Sequence, residues 1–196
     1  MKKENYEWIY AWQDENFKHD LPRVLLIGDS ITNNYQAHVR QFLQGFCYVD
    51  YVSTTFSIDT KIYRDLIKNY ARYNDYDLVH YNFGLHGKHL SEKSYKTKVD
   101  KIIEFLSEKS KVVLANTTVV YENGNKVLDK SWMKRVSERN RAMKEIAEER
   151  GLPIDNLYSV SCDIPKSMRY IDGTHYTIDG YKELAQQVAR FIRNNL

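Results

Sequence analysis

The sequence predicts an α/β fold built on a parallel sheet. Two observations carry that prediction. Short apolar runs of strand length alternate along the chain with segments whose apolar residues recur at helical spacing. Such alternation implies right-handed βαβ crossovers and a sheet covered on both faces. A third observation sets the scale: 196 residues suit one domain with a sizeable core.

Taken in order, residues 1–22 read as irregular. They carry Trp8, Tyr10, Trp12 and Phe17, and are expected to pack as an arm across a domain spanning 23–196. Five strands are predicted at 23–27, 46–52, 77–81, 111–117 and, shorter, near 154–157. A helix over 31–43 follows the first. Another places Val99, Ile102, Ile103 and Leu106 on one face. A third runs from about 134 to 150 and stops at Gly151 and Pro153. The last sets Tyr181, Leu184, Ala185, Val188 and Ile192 on one face. The long loop 118–133, with Tyr121, Gly124 and Trp132, is expected to border a pocket. In a parallel sheet, ligands meet the carboxyl ends of the strands. The loops 28–30, 53–60 and 82–89 should therefore converge there.

Composition removes several classes. Net charge is 29 − 26 = +3 with no long basic run, so a nucleic-acid groove is not indicated. No stretch is long and apolar enough for a membrane span. Cys47 and Cys162 make no disulfide framework; they read as buried free thiols, with one bridge as the alternative. Lys2-Lys3 is followed by Glu4-Asn5-Tyr6-Glu7 rather than an apolar signal core, which sets a cytoplasmic location as the expectation.

Two short segments carry chemistry. Gly28-Asp29-Ser30 ends the apolar run Val24-Leu25-Leu26-Ile27, and Asp172-Gly173-Thr174-His175 precedes the last helix. Taken singly, the first is also what an ordinary strand-to-helix turn looks like, with Gly28 allowing the bend and Asp29 or Ser30 capping the helix. The second is common on surface turns. Together they offer a serine nucleophile, an imidazole base and a carboxylate to fix its tautomer, the equipment of acyl transfer to water. His86 and His89 are three residues apart but lack a third ligand at metal-binding spacing, so neither metal nor other cofactor is expected.

These segments resemble the SGNH (GDSL-type) hydrolases, small α/β serine esterases. The likeness rests on Gly28-Asp29-Ser30-Ile31-Thr32 and on Asp172 through Tyr181, and spans about 20–195. It implies a flavodoxin-like three-layer α/β/α sandwich with a five-stranded parallel sheet, and Ser30, Asp172 and His175 as the triad. The middle blocks depart from the pattern. Where the family has a glycine after the second strand, this chain has Thr54-Thr55-Phe56-Ser57-Ile58-Asp59-Thr60. Where it has Gly-x-Asn-Asp, this chain reads Asn82-Phe83-Gly84-Leu85-His86-Gly87, a divergent variant. The resemblance thus implies an oxyanion hole from the N–H of Ser30, an N–H of Ser57 or Ile58, and either neutral His86 or Asn82.

The expected substrate is an ester of a small acyl group, acetyl on a carbohydrate, met by Asp29, Tyr35, His89, Trp132 and Tyr176, with Tyr121 as a further stacking ring. A lipid-type esterase or thioesterase is the enzymatic alternative, and a non-catalytic carbohydrate-binding module on the same fold is the alternative of another class. A small-molecule or oligosaccharide ester is the only partner expected, with no nucleic acid and no membrane; the oligomeric state stays open.

Overall fold

The run Arg23–Gly28 is buried throughout and forms the central strand β2. Its side chains alternate: Val24 and Leu26 join one apolar cluster, Leu25 and Ile27 the other. A strand buried on both faces needs no polar alternation, which is why its sequence is a continuous apolar run. The computed structural model describes residues 3–196; Met1 and Lys2, the first residues of the expected arm, lie outside the described residues.

Around β2 the chain lays down β1 (Ile9–Trp12), β3 (Tyr48–Thr54), β4 (Leu78–Asn82), β5 (Lys111–Ala115) and β6 (Ile154–Asp155). The helices are α1 (Ser30–Phe42), α2 (Lys61–Tyr73), α3 (Glu92–Leu106), α4 (Lys130–Arg150), α5 (Leu157–Asp163) and α6 (Ile178–Asn195). The sheet order is β1-β3-β2-β4-β5-β6. All neighbouring pairs are parallel except β1 with β3. On one face, Ile31, Tyr35 and Val39 of α1 pack with Leu184, Ala185 and Val188 of α6. On the other lie Tyr63 and Ile67 of α2, Val99, Ile102 and Ile103 of α3, and Met143 and Ile146 of α4. This is the three-layer sandwich.

The sheet has six strands, not five. The added strand is β1, inside the segment read as an irregular arm, with Ile9 opposite Thr54 and Trp12 opposite Tyr51. Only Ala11 packs against the core, while Ile9, Tyr10 and Trp12 are exposed. An edge strand so thinly buried lacks the apolar face that marks strands in sequence. Its signal was instead the alternation of Tyr6, Trp8, Tyr10 and Trp12. Smaller corrections follow the same logic. The second expected strand starts at Tyr48, because the N–H groups of Phe46 and Cys47 are spent on the Leu43 carbonyl at the end of α1. Helix α4 starts at Lys130, capped by Asp129, so Trp132 is helical and the long loop ends sooner. Helix α2 buries only Tyr63 and Ile67, too narrow a stripe to stand out. Cys47 and Cys162 are free thiols, Cys47 buried and Cys162 exposed.

One buried ion pair decides where the amino terminus goes. Arg23 Nη1 donates to Asp50 Oδ1 at 2.8 Å, and the guanidinium also donates to the carbonyls of Asp14, Glu15 and Lys18. Asp50 further accepts from Asp14 N, Asn74 Nδ2 and Tyr76 Oη. Every lone pair that could stay unpaired on this buried carboxylate is occupied, as burial of a charge requires. The cluster pins residues 14–18 at the amino end of the sheet. Because β1 is antiparallel to β3, the chain read backwards from there rises to the carboxyl end and delivers residues 3–8 to the converging loops.

Candidate active site

Ser30 sits where β2 turns into α1. Gly28 closes the strand, and a Cβ there would stand 1.9 Å from Thr32 Oγ1 and 2.5 Å from the Asn82 carbonyl oxygen. The glycine is thus required by close packing. Asp29 caps α1, its Oδ1 accepting from Ile31 N at 3.0 Å. Its Oδ2 accepts from Leu85 N at 3.4 Å, tying the serine turn to the 84–90 loop. Ser30 opens α1, so its N–H is among those with no intrahelical acceptor, at the positive end of the helix dipole.

The Asp-His segment is a tight turn with its own hydrogen bonds. Asp172 Oδ1 accepts from the backbone N–H of Thr174 and of His175, each at 2.9 Å. Its Oδ2 lies 2.7 Å from His175 Nδ1, and His175 Nε2 lies 2.9 Å from Ser30 Oγ. Burial pushes the Asp172 carboxyl up, but the His175 and Thr174 N–H groups and the His175 ring outweigh it and hold it below the ordinary carboxylate range. The turn needs Gly173 at φ +76, where a Cβ would also stand 2.0 Å from the Tyr121 carbonyl oxygen. The loop after β5 grips it: Tyr121 N donates to Gly173 O and Gly124 N to Ile171 O, both at 2.8 Å. That loop supports the Asp-His turn, and none of its residues lines the pocket.

Ser30 and His175 open into a cavity of about 670 Å³, lined also by His86, Lys88 and His89, by Thr55 after β3, and by Lys3, Glu4, Asn5, Tyr6 and Trp8. The 84–90 loop is clamped from below by Arg139 of α4. This fully buried guanidinium donates to the carbonyls of Gly87 and Leu90 and lies 4.0 Å from the Tyr95 ring centroid. Burial lowers its pKa from the ordinary arginine value.

The structure thus brings Ser30, His175, Asp172, His86 and His89 together and sorts the other expected residues. Asn82 is buried and spends its amide on the Asn116 carbonyl at 3.1 Å. The side chains of Ser57 and Ile58 are buried, the first bonded to Asp59, the second in the core beneath α2 and α3. Tyr35 is fully buried against Thr32, and Tyr176 stacks edge-on to Tyr181 with centroids 5.5 Å apart in the core. Neither presents a ring to a ligand, because strong periodic burial placed them among core residues. Asp29 is consumed by capping. Trp132 lies behind Lys88, whose Nζ is 4.0 Å from the ring centroid. His89 lines the pocket with Nε2 3.0 Å from Asp59 Oδ2. Burial raises the Asp59 carboxyl, yet the Ser57 hydroxyl and His89 bring it below its ordinary value. Among the described residues no group of three or more His, Cys, Asp or Glu is placed to hold a metal ion. Sequence reasoning missed Glu4, Tyr6, Trp8, Thr55 and Lys88. The aromatic alternation at 6, 8, 10 and 12 was the available signal for the first of these neighbours.

No protein-family model matches this sequence, and no curated protein does. Solved structures do match. A lipase/acylhydrolase from Enterococcus faecalis superposes with a TM-score of 0.73 at 19% identity, covering 89% of this chain and 96% of that one. Axe2, an acetylxylan esterase from Geobacillus stearothermophilus, gives 0.69 at 17% identity over 87% of this chain and 94% of that one. An α/β hydrolase from the metagenome of Lake Arreo gives 0.68 at 14% identity over 86% and 94%. The likeness extends over nearly the whole chain and shows the fold, the α/β/α architecture of SGNH-type hydrolases.

Proposed function

We propose that this protein is a serine esterase that removes small acyl groups, acetyl foremost, from a carbohydrate. The observation that carries the reading is the unbroken chain from Asp172 Oδ2 through both His175 nitrogens to Ser30 Oγ, with steps of 2.7 and 2.9 Å, at the mouth of a cavity. A free serine hydroxyl is a weak nucleophile, and a base in hydrogen-bond reach makes it competent.

In the proposed mechanism Ser30 Oγ attacks the ester carbonyl as His175 Nε2 takes its proton. Asp172 holds the Nδ1–H and stabilises the imidazolium. The tetrahedral oxyanion meets the Ser30 N–H and His86. Collapse breaks the bond to the alcohol, which leaves with the proton from His175 and gives an acyl-Ser30. Water, activated by the same imidazole, then attacks the acyl carbon and releases the acid.

Support for a carbohydrate alcohol comes from the pocket wall, where Tyr6 and Trp8 supply broad rings beside Ser30, and from the likeness to Axe2, an acetylxylan esterase. Two catalytic mutants of Axe2 replace a serine and a histidine by alanine, which matches the roles given to Ser30 and His175 here. The test is hydrolysis of p-nitrophenyl acetate, p-nitrophenyl decanoate and an acetylated xylooligosaccharide. Turnover of acetate and oligosaccharide with little of decanoate is expected. A rate that rises with acyl length supports the lipid-type reading, and hydrolysis of none of the three overturns the assignment.

A further inference from the structure

His86 lines the cavity together with Ser30 and His175. Its Nδ1 is buried and has no hydrogen-bond partner. The nearest carboxylate is that of Glu4, 82 residues away in sequence, with Oε1 3.8 Å from Nδ1, within ion-pair range. The same Oε1 accepts from Gly87 N at 2.9 Å. One carboxylate oxygen therefore grips the residue after His86 and faces the ring of His86 itself.

The placement of Glu4 is built into the chain. Trp8 N donates to Thr55 Oγ1, Thr55 Oγ1 to the Tyr6 carbonyl, and Thr54 Oγ1 to the Trp8 carbonyl. These bonds carry the chain from β1 across the carboxyl end of β3 and set residue 4 over the 84–90 loop. The His86 imidazole above all, then the Gly87 N–H and the Lys88 charge, bring the Glu4 carboxyl down to about 2 in spite of its burial. Glu4 is thus an anion across the working range.

We propose that Glu4 is a positioning residue that holds the His86 ring toward Ser30. The inference rests on the functional reading above and extends it to a residue outside the Ser30, Asp172 and His175 set. An oxyanion donor must present an N–H on Nε2, the nitrogen away from Glu4. A carboxylate beside Nδ1 holds that edge of the ring and leaves Nε2 on the opposite edge, toward the cavity. Among the described residues, the other charged or titratable groups around the ring are Lys3 and Tyr6 from the amino-terminal segment, Lys88 and His89 from its own loop, with Asp59 on His89, and His175 with Asp172 across the cavity. Among the described residues, Glu4 is the anion of this group without another side-chain partner.

The test compares the unsubstituted protein with Glu4→Gln, which keeps an acceptor for Gly87 N and removes the charge. Expected is a kcat for p-nitrophenyl acetate reduced at least about tenfold with little change in KM. In a His86→Ala background the same change should cost nothing further, since the two act through one contact. Glu4→Asp should recover part of the rate. If Glu4→Gln matches the unsubstituted protein while Ser30→Ala is inactive, this proposal falls alone. Equal losses from Glu4→Gln with and without His86 would assign Glu4 a purely structural role and also overturn it. Absence of Ser30-dependent ester hydrolysis in the unsubstituted protein would instead remove the functional reading beneath it.

Discussion

Two loops face each other across Ser30, and they are held in opposite ways. The 172–175 turn is local. Asp172 caps two N–H groups of its own turn and reaches His175 three residues on. The 84–90 loop depends on distant residues. Asp29 takes the Leu85 N–H, Arg139 takes the Gly87 and Leu90 carbonyls, and Glu4 takes the Gly87 N–H. A turn that contains its own fixings can be carried by a four-residue motif. A loop fixed from outside can vary in sequence while its supports vary with it, and here it reads Gly84-Leu85-His86-Gly87.

Substitutions on either loop test these two modes of support. The largest effect is expected at the local turn. Asp172→Asn keeps the Oδ1 acceptor but sets an amide against His175 Nδ1, so kcat for p-nitrophenyl acetate should fall on the order of 10⁴-fold with the fold intact. A loss under tenfold, by steady-state kinetics, would separate Asp172 from the chemistry. On the opposite loop, His86→Ala should lower kcat on the order of 10²–10³-fold with KM little changed. Asn82→Ala should cost less, because its amide is already spent on Asn116. The reverse order would make Asn82 the donor.

Stability sharpens the contrast. Gly173→Ala forces a Cβ into a left-handed position against the Tyr121 carbonyl, and should lower unfolding free energy in urea by about 1–3 kcal/mol. The Glu4 clasp should be lost only in acid. Its carboxyl falls from the ordinary 4.5 to about 2, so its stabilising contribution is complete above pH 4.5 and lost as pH falls through about 2. The difference in unfolding midpoint between the unsubstituted protein and Glu4→Gln should be constant above that window and vanish below it. A difference that persists at pH 2 would mean the carboxylate contributes through something other than its charge.

The same division explains what was legible in the sequence. Central strands buried on both faces, such as β2, announce themselves as apolar runs, and α3 and α6 by helical spacing. The Ser30 and Asp172–His175 segments were legible because each is held by its own residues. The edge strand β1 was not, since one small residue, Ala11, is all it packs against the core. Tyr35 and Tyr176 were misjudged as ligand contacts because a tyrosine's polar end looks alike in sequence whether it faces water or lies buried in the core. The pocket wall from Lys3 to Trp8 depends on the Arg23–Asp50 anchor and the antiparallel return of β1, a relation between segments far apart in the chain.

In the proposed reaction Ser30 is acylated during turnover. Rapid mixing with p-nitrophenyl acetate, acid quench and peptide mass spectrometry test it directly. Expected are a burst of nitrophenolate close to one equivalent per protein when deacylation is the slower step, and one acetyl group on the peptide bearing Ser30, lost in Ser30→Ala. Hydrolysis that persists in Ser30→Ala, or acetyl found on another side chain with Ser30 unmodified, would contradict it.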